Sequence, residues 1–302
     1  MTYYTENTII YNNGQFVKAA EAKIDLYSQS MHYGYSVFEG IRSYKTVDGS
    51  TKIFKAVEHF QRLHASAKSL NMPYPWLGED LIAATYKVLA DNNLGDAYIR
   101  PLVYGPANMS FNQNTESYIT IQAWEMAPFL GDKLLRVMTS SFQRPNPKGF
   151  KITAKASGHY VNSIMASQEA KANGFDEALL TDMEGFAAEA PGANVFYEKD
   201  GKLFTPSLGN ILPGITRATV LEICDKLNIE IVEKHFTVSE MYGADAAFFC
   251  GTAAEVIGIE SIDNHPFAKN WNDTISRQIQ LLYKNLVTEN NEVLMNEILG
   301  VE

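Results

Sequence analysis

Short β-forming segments and amphipathic helical segments are mixed along the whole chain, and this mixture most constrains the fold. Asn13-Gly14 lies between β-forming residues 8–11 and 15–17, and Asn-Gly is a strong signal for a hairpin turn. A second hairpin is predicted over residues 37–55, turning near Asp48-Gly49. The segments lack the regular strand–helix alternation of a parallel α/β sheet. We therefore predict an α+β protein.

The 302 residues suggest two domains, at about 150 residues per domain. A small N-terminal α/β domain is predicted over residues 1–124, and an interdomain loop over 125–134, where Pro128 and Gly131 break the pattern. Residues 135–302 are predicted to form a larger β-rich domain flanked by helices. The predicted helices are 56–70, 79–91, 159–173, 216–227 and 274–288, and the predicted strands after the hairpins are 96–105, 117–126, 135–141, 177–182, 193–198, 202–205, 230–233 and 246–250.

Composition excludes several classes of protein. Hydrophobic residues make up 46% of the chain, which is too many for a disordered protein. A net charge of −10 argues against a nucleic-acid partner. The longest apolar run, 246–250, is too short for a membrane span, and residues 1–8 lack the basic start of a signal peptide. Because Cys224 and Cys250 cannot build a disulfide framework, we expect a cytoplasmic protein.

Common catalytic motifs are absent: the sequence contains no Gly-x-Gly-x-x-Gly, no Walker loop and no Gly-x-Ser-x-Gly. The two cysteines fall in separate elements, so no metal site is expected. Lys155 is set among Ala154, Ala156 and Gly158, small residues that leave room for a planar ring beside a nucleophilic amine. From spacing alone, a solvated surface lysine is the more common interpretation.

Further candidates are an acid, two turns and two arginines. Glu189 lies in a stretch of small and apolar residues, 185–196, and needs a partner such as a protonated ring nitrogen. The predicted loop-to-helix junctions at 212–216 and 250–254 offer backbone N–H groups to a phosphate or carboxylate. Arg62 and Arg100 are candidates for anion recognition. Each candidate also has a plainer interpretation. Glu189 can be read as a loop acid that is hydrogen-bonded within the protein, the two junctions as ordinary helix N-caps, and Arg62 as a solvated side chain on a helix.

The order of several motifs is more specific than any one of them. The motifs are MHYGYSVFEGIR at 31–42, EHFQRL at 58–63, AYIRP at 97–101, TAKA at 153–156, LPGITR at 212–217 and GTAAE at 251–255. With these motifs in this order, residues 7–287 resemble the branched-chain amino-acid aminotransferases. The resemblance implies a two-domain enzyme of fold-type IV that depends on pyridoxal 5′-phosphate.

The resemblance assigns cofactor-binding roles to residues of this chain. It implies that Lys155 forms the Schiff base with pyridoxal phosphate and that Glu189 keeps the pyridine nitrogen protonated, so that the ring withdraws electrons from the substrate Cα. Tyr160 would hydrogen-bond the ring hydroxyl. The phosphate would be bound by four further residues: Arg62, Ile215, Thr216 and Thr252.

The resemblance also assigns substrate-binding roles. The turn residues Thr252 and Ala253 would bind the substrate carboxylate, helped by Tyr98 and Arg100. Tyr33, Phe38 and Gly40 would line the side-chain pocket, with Tyr33 donated by a second subunit. Without the resemblance, Tyr33 and Phe38 would be taken for core aromatics. A shared Tyr33 implies at least a homodimer, with a hexamer as the larger alternative.

The implied reaction is ping-pong transamination between Leu, Ile or Val and 2-oxoglutarate, with Lys155 as the general base at Cα. A D-amino-acid transaminase or an aminodeoxychorismate lyase on the same fold is the alternative, as is an inactive binding protein. Pro191, Met126 and Phe129 depart from the family pattern, so the substrate preference among Leu, Ile, Val and aromatic amino acids stays open.

Overall fold

The structure, a computed structural model, describes residues 3–126, 130 and 133–290. The chain divides into two compact units. The first comprises the described residues within 1–127 together with Ala154–His159, and the second comprises the other described residues from 130 onwards. Residues 127–129 and 131–132, with Phe129 among them, lie outside the described residues, so the proposed interdomain loop stays a prediction.

The N-terminal unit is an antiparallel sheet covered by two helices. Among the described residues its strand order is β2-β1-β7-β6-β4-β5, with β3 also paired to β6. The elements are β1 (Ile9–Asn12), β2 (Gln15–Lys18), α1 (Gln29–Tyr33), β3 (Val37–Phe38), β4 (Ile41–Lys45), β5 (Thr51–Ile53), α2 (Ala56–Ser69), α3 (Gly78–Asp91), β6 (Ala97–Tyr104) and β7 (Tyr118–Glu125).

Apolar residues at helical spacing explain how α2 and α3 cover this sheet. Leu63 on α2 and Leu81 and Val88 on α3 are fully buried in the same core as Ile99 and Ile119 of the sheet. Burying each such side chain contributes about 1.5–3 kcal/mol. The predicted helices, the first hairpin with its positive-φ turn, and the turn at Asp48-Gly49 are confirmed. Val37–Phe38, predicted as part of the second hairpin, instead pairs with β6.

The C-terminal unit is built on a larger mixed sheet. Its order in the described chain is β10-β9-β8-β15-β14-β11-β12-β13, and an additional β10–β11 pairing closes six of these strands into a ring. The elements are β8 (Leu135–Gln143), α4 (Tyr160–Ala172), β9 (Glu177–Thr181), β10 (Ala187–Glu189), β11 (Asn194–Lys199), β12 (Lys202–Thr205), α5 (Ile215–Lys226), β13 (Ile231–Glu233), α6 (Val238–Met241), β14 (Ala246–Gly251), β15 (Glu255–Ile262), β16 (His265–Pro266) and α7 (Ile275–Val287).

Helices flank this sheet as predicted, with α4 against β8 and β9 and with α5 and α7 against β14. Several features differ from the sequence analysis, among them α1, α6, β10 and β16, which were not predicted. The strand β15 was not predicted, although Val256, Ile257 and Ile259 are β-branched and buried. Residues 154–159, predicted within the C-terminal domain, pack with the N-terminal unit. No helix in the described part of the chain is long and apolar enough to cross a membrane.

Candidate active site

Lys155 lies in a segment that pairs with β3 in the N-terminal unit. Its N–H donates to Ser66 Oγ at 3.1 Å, and its carbonyl accepts from the Phe38 N–H at 3.0 Å. Its neighbours Ala154 and Ala156 are buried. The backbone therefore cannot shift freely, and the side chain places Nζ 5.2 Å from the centroid of the Phe38 ring. This partly buried amine beside an aromatic ring differs from a freely solvated surface lysine.

Arg100 lies close to the same phenylalanine. Its guanidinium carbon is 4.5 Å from the centroid of Phe38 and 5.2 Å from that of Tyr98, and Nη2 donates to Tyr98 Oη at 3.1 Å. Its Nε is buried and has no hydrogen-bond acceptor among residues 3–126, 130 and 133–290. No carboxylate of those residues forms an ion pair with it either. A guanidinium in this setting suits a carboxylate supplied by a substrate.

The predicted pocket residues of this unit differ in exposure. Phe38 and Tyr98 are buried, and Gly40 lies directly against the Tyr98 hydroxyl. Tyr33, at the end of α1, is 48% exposed and its ring contacts Phe111 at 5.6 Å. Tyr33 is therefore not a core aromatic within this chain.

Arg62 on α2 forms an ion pair with Glu39, a buried acid that the sequence analysis did not single out. Its Nε donates to Glu39 Oε1 at 2.7 Å and its Nη2 donates to Glu39 Oε2 at 2.9 Å. His59 Nδ1 lies 2.7 Å from the same Oε2. Burial alone would raise the pKa of Glu39. The charges and hydrogen bonds of Arg62 and His59 outweigh burial and hold the pKa of Glu39 well below its usual range. Burial lowers the pKa of His59, so its neutral form is favoured.

In the C-terminal unit, Glu189 ends β10 and is buried. Arg144 Nε lies 2.9 Å from Oε1, Asn194 Nδ2 donates to Oε2 at 3.0 Å, and the Leu212 N–H approaches both oxygens at 3.2 and 3.3 Å. Asn194 also donates to the Leu212 carbonyl at 3.0 Å. Glu189 therefore lies in a strand and has several donors, so it is not the loop acid of the plainer alternative. Arg144 was missed because 45 residues separate the pair.

The turn that Glu189 contacts leads into α5. Gly214 is the N-cap of α5 and makes no side-chain cap, so the first N–H groups, those of Ile215 and Thr216 included, receive no acceptor from a capping side chain. A Cβ at Gly214 would lie 2.0 Å from Asn194 Oδ1, and this close approach requires glycine. The predicted helix start at 212–216 is confirmed. The carboxylate of Glu189 and a helix end with N–H groups suited to an anion therefore belong to one connected set of residues in this unit.

The second predicted helix start, at residues 250–254, is wrong. Gly251 pairs with Glu255, so Thr252, Ala253 and Ala254 form the turn of the β14–β15 hairpin. Glu255 has a φ of +57°, which suits a turn rather than the first turn of a helix. Thr252 and Ala253 can still offer backbone and hydroxyl donors, but no helix dipole assists them.

Residues 36–262 match the family described as amino-transferase class IV. The branched-chain-amino-acid aminotransferase of Pseudomonas aeruginosa is 37% identical over 298 residues, which is 97% of each chain. The crystal structure of the branched-chain aminotransferase from the archaeon Thermoproteus uzoniensis with norvaline matches with a TM-score of 0.90 at 35% identity, covering 95% of this chain and 97% of that one.

A third similar protein is the T.th. branched-chain amino acid aminotransferase, complexed with N-(5′-phosphopyridoxyl)-L-glutamate. It has a TM-score of 0.89 and 36% identity, covering 96% of this chain and 97% of that one. The chain belongs to the class IV amino-transferases. The relatives named here are branched-chain aminotransferases, and their similarity extends over nearly the whole chain.

Proposed function

We propose that this protein catalyses the reversible transfer of the α-amino group from L-leucine, L-isoleucine or L-valine to 2-oxoglutarate. The products are branched-chain 2-oxo acids and L-glutamate, and the cofactor is pyridoxal 5′-phosphate. Similarity to branched-chain aminotransferases over 97% of the chain supports the substrate class. The complex of one relative with N-(5′-phosphopyridoxyl)-L-glutamate supports both the cofactor and glutamate as the second amino acid.

The observation that carries the proposal is the grouping of Lys155, Phe38 and Arg100 in the N-terminal unit. A lysine amine lies beside an aromatic ring, and a guanidinium with no carboxylate partner among the described residues lies at the same ring. An amine can react with a carbonyl compound, the ring is an apolar contact for a branched side chain, and the guanidinium can bind a carboxylate. Together these groups suit amino acids and 2-oxo acids.

The residues of the C-terminal unit fit the cofactor by the chemistry of their donors and acceptors. Glu189, a buried carboxylate with an arginine partner, suits a protonated pyridine nitrogen. The N–H groups of Ile215 and Thr216 and the Thr216 hydroxyl suit a phosphate. Arg62 and Thr252 would add donors for that phosphate, and Tyr160 would hydrogen-bond the ring hydroxyl.

Pyridoxal phosphate, when bound, supplies a carbonyl that accepts the amino group and a ring that withdraws electrons from Cα. The chain's own residues do the rest. Lys155 Nζ would hold the cofactor covalently between turnovers and, once released, take the proton from the substrate Cα. Thr252 and Ala253, helped by Tyr98 and Arg100, would orient the substrate carboxylate, and Phe38 and Gly40 would border its side chain.

We also propose that the protein is at least a homodimer and acts in the cytoplasm. The exposed ring of Tyr33 and the 91% exposed ring of Phe111 support association with a second copy, because large exposed apolar groups mark interaction surfaces. The buried free thiols of Cys224 and Cys250 support a reducing compartment.

The test is glutamate formation from 2-oxoglutarate by the cofactor-loaded enzyme, with either L-leucine or D-alanine as the amino donor. L-glutamate from L-leucine alone is the expected result. D-glutamate from D-alanine would instead identify the D-specific alternative. Absence of glutamate with both donors would contradict transamination and favour the lyase or the inactive binding protein.

A further inference from the structure

Glu39 is fully buried between β3 and β4. Glutamate side chains are rarely fully buried in proteins unless a charged or hydrogen-bonding partner accompanies them. The backbone of Glu39 is fixed, because its N–H donates to the Pro101 carbonyl on β6 at 2.9 Å. Its side chain therefore starts from a rigid point on the sheet and reaches toward α2.

Two side chains of α2 converge on this carboxylate. His59 and Arg62 are three residues apart and so lie on the same face of the helix. Arg62 uses Nε and Nη2 for the two oxygens, at 2.7 and 2.9 Å, and His59 Nδ1 takes Oε2 at 2.7 Å. A two-point contact fixes both the position and the plane of a guanidinium, which a single contact does not.

The pair also determines the charge that Arg62 offers. Glu39 is ionised, because the guanidinium and the imidazole stabilise its charge against the cost of burial. Arg62 and Glu39 together are therefore electrically neutral. An arginine neutralised in this way recognises an anion through the direction of its N–H groups more than through net charge, so its orientation matters for binding.

We propose that Glu39, supported by His59, is a positioning residue for phosphate recognition: it holds the Arg62 guanidinium in a fixed orientation for the phosphate of pyridoxal 5′-phosphate. The inference rests on the proposed function, which assigns Arg62 to that phosphate. Holding the side chain in advance removes the entropic cost of ordering it when the cofactor binds.

The experiment compares two ligands that differ only in the phosphate. Apo-enzyme is titrated with pyridoxal 5′-phosphate and with pyridoxal, and the dissociation constants are read from the change in absorbance. Both ligands can react with Lys155, so the ratio of the two constants reports phosphate recognition alone. For Glu39→Gln we expect the Kd of pyridoxal phosphate to rise roughly 10- to 100-fold, the range found when partners of ligand-holding groups are removed in metal sites. The Kd of pyridoxal should change less than about twofold, because it has no phosphate for Arg62 to bind.

Four companion variants make the test specific. Arg62→Ala should give the same phosphate-selective loss, and the double variant should lose no more than Arg62→Ala alone, because both changes remove one function. Glu58→Gln is the matched control on the same helix: it is solvent-exposed and should leave both constants unchanged. Glu39→Asp keeps the buried charge but shortens the side chain, and it should show a smaller phosphate-selective loss even if Glu39→Gln fails to fold.

The outcomes separate the two proposals. If Arg62→Ala weakens pyridoxal phosphate selectively while Glu39→Gln and Glu39→Asp affect both ligands equally or neither, the positioning role of Glu39 is overturned and the proposed function stands. If Arg62→Ala does not alter the ratio of the two constants, Arg62 does not bind the phosphate and the inference about Glu39 falls with that assignment.

Discussion

The hydroxyl of Tyr98 occupies the space that a side chain at residue 40 would need. A Cβ on Gly40 would lie 2.0 Å from Tyr98 Oη and 2.8 Å from Cζ, well inside van der Waals contact. Tyr98 in turn accepts a hydrogen bond from Arg100. Gly40 thus permits the ring position that keeps the tyrosine and the arginine together.

Gly40→Ala should displace the Tyr98 ring and lower kcat/KM for L-leucine. Overpacking of this kind costs about 1–3 kcal/mol, which corresponds to roughly a 5- to 150-fold loss if it falls on the transition state. Cofactor affinity should stay the same, because the glycine contacts a proposed substrate-binding residue. Gly243→Ala is the control, since nothing lies within 4 Å of its added Cβ. Equal kinetics for both variants would remove Gly40 from the pocket.

Lys155→Ala should reduce amino transfer by at least about 10⁴-fold, because the covalent anchor and the base at Cα are lost together. The far-ultraviolet circular dichroism should be unchanged, since the backbone contacts of residue 155 to Ser66 and Phe38 remain available. Lys151→Ala, an exposed lysine four residues earlier, should keep full activity. Turnover by the Lys155 variant near the normal rate would contradict the assignment.

Glu189→Gln should affect both stability and rate. The change leaves Arg144 buried without its charged partner, and breaking a buried ion pair in this way costs about 3–5 kcal/mol in the free energy of unfolding. The half-reaction with L-leucine should slow by about 100-fold or more, as when one preorganised charged contact to a transition state is lost. Urea titration and rapid-mixing absorbance measure the two effects.

Glu184→Gln, an exposed acid in the preceding turn, is the control and should change neither quantity. A Glu189 variant that is less stable but deprotonates its substrate at the normal rate would give Glu189 a structural role only.

The buried His59 should make stability fall as the pH is lowered below about 6.5, the ordinary histidine value. Burial lowers the pKa of His59 in the folded state, so the unfolded chain binds its proton first as the pH falls. The free energy of unfolding of the apo-protein should therefore decrease by up to about 1.4 kcal/mol per pH unit from this group.

His59→Gln should flatten that slope between pH 7 and 5, as measured by urea unfolding at several pH values. His64→Gln on the same helix should retain it, because His64 is exposed. Identical slopes in the wild type and in both variants would show that His59 does not control this pH dependence.

Phe111→Asp should weaken the proposed homodimer. The ring is 91% exposed within one chain and contacts Tyr33, so a carboxylate there would be costly if a second copy covers it. Sedimentation velocity should show a shift toward monomer together with a higher KM for L-leucine. Val47→Asp, at a 68% exposed valine elsewhere in the unit, should leave the association unchanged. An unchanged association state for Phe111→Asp would place the interface elsewhere.

Much of the local structure could be predicted because its signals lie in neighbouring residues. The Asn13-Gly14 turn, the apolar spacing of α2 and α3, and the start of α5 at Gly214 each depend on a few consecutive positions. The prediction of a helix start at residues 250–254 was wrong for a local reason. Gly-Thr-Ala-Ala is compatible with a helix start and with a hairpin turn, and the pairing of Gly251 with Glu255 selects the hairpin.

The motifs around Arg62 and Lys155, together with four others in the same order along the chain, were enough to recognise the family, because the types and order of those residues are written in the chain itself. The partners of these residues came only from the tertiary structure. Glu39 reaches Arg62 across 23 positions and Arg144 reaches Glu189 across 45. The first contact joins the sheet to the helix α2, and the second joins the ends of two strands of one sheet, so no local periodicity encodes which buried charge will face which. The sequence by itself therefore determined the family, and the packing decided which buried charges face Arg62 and Glu189.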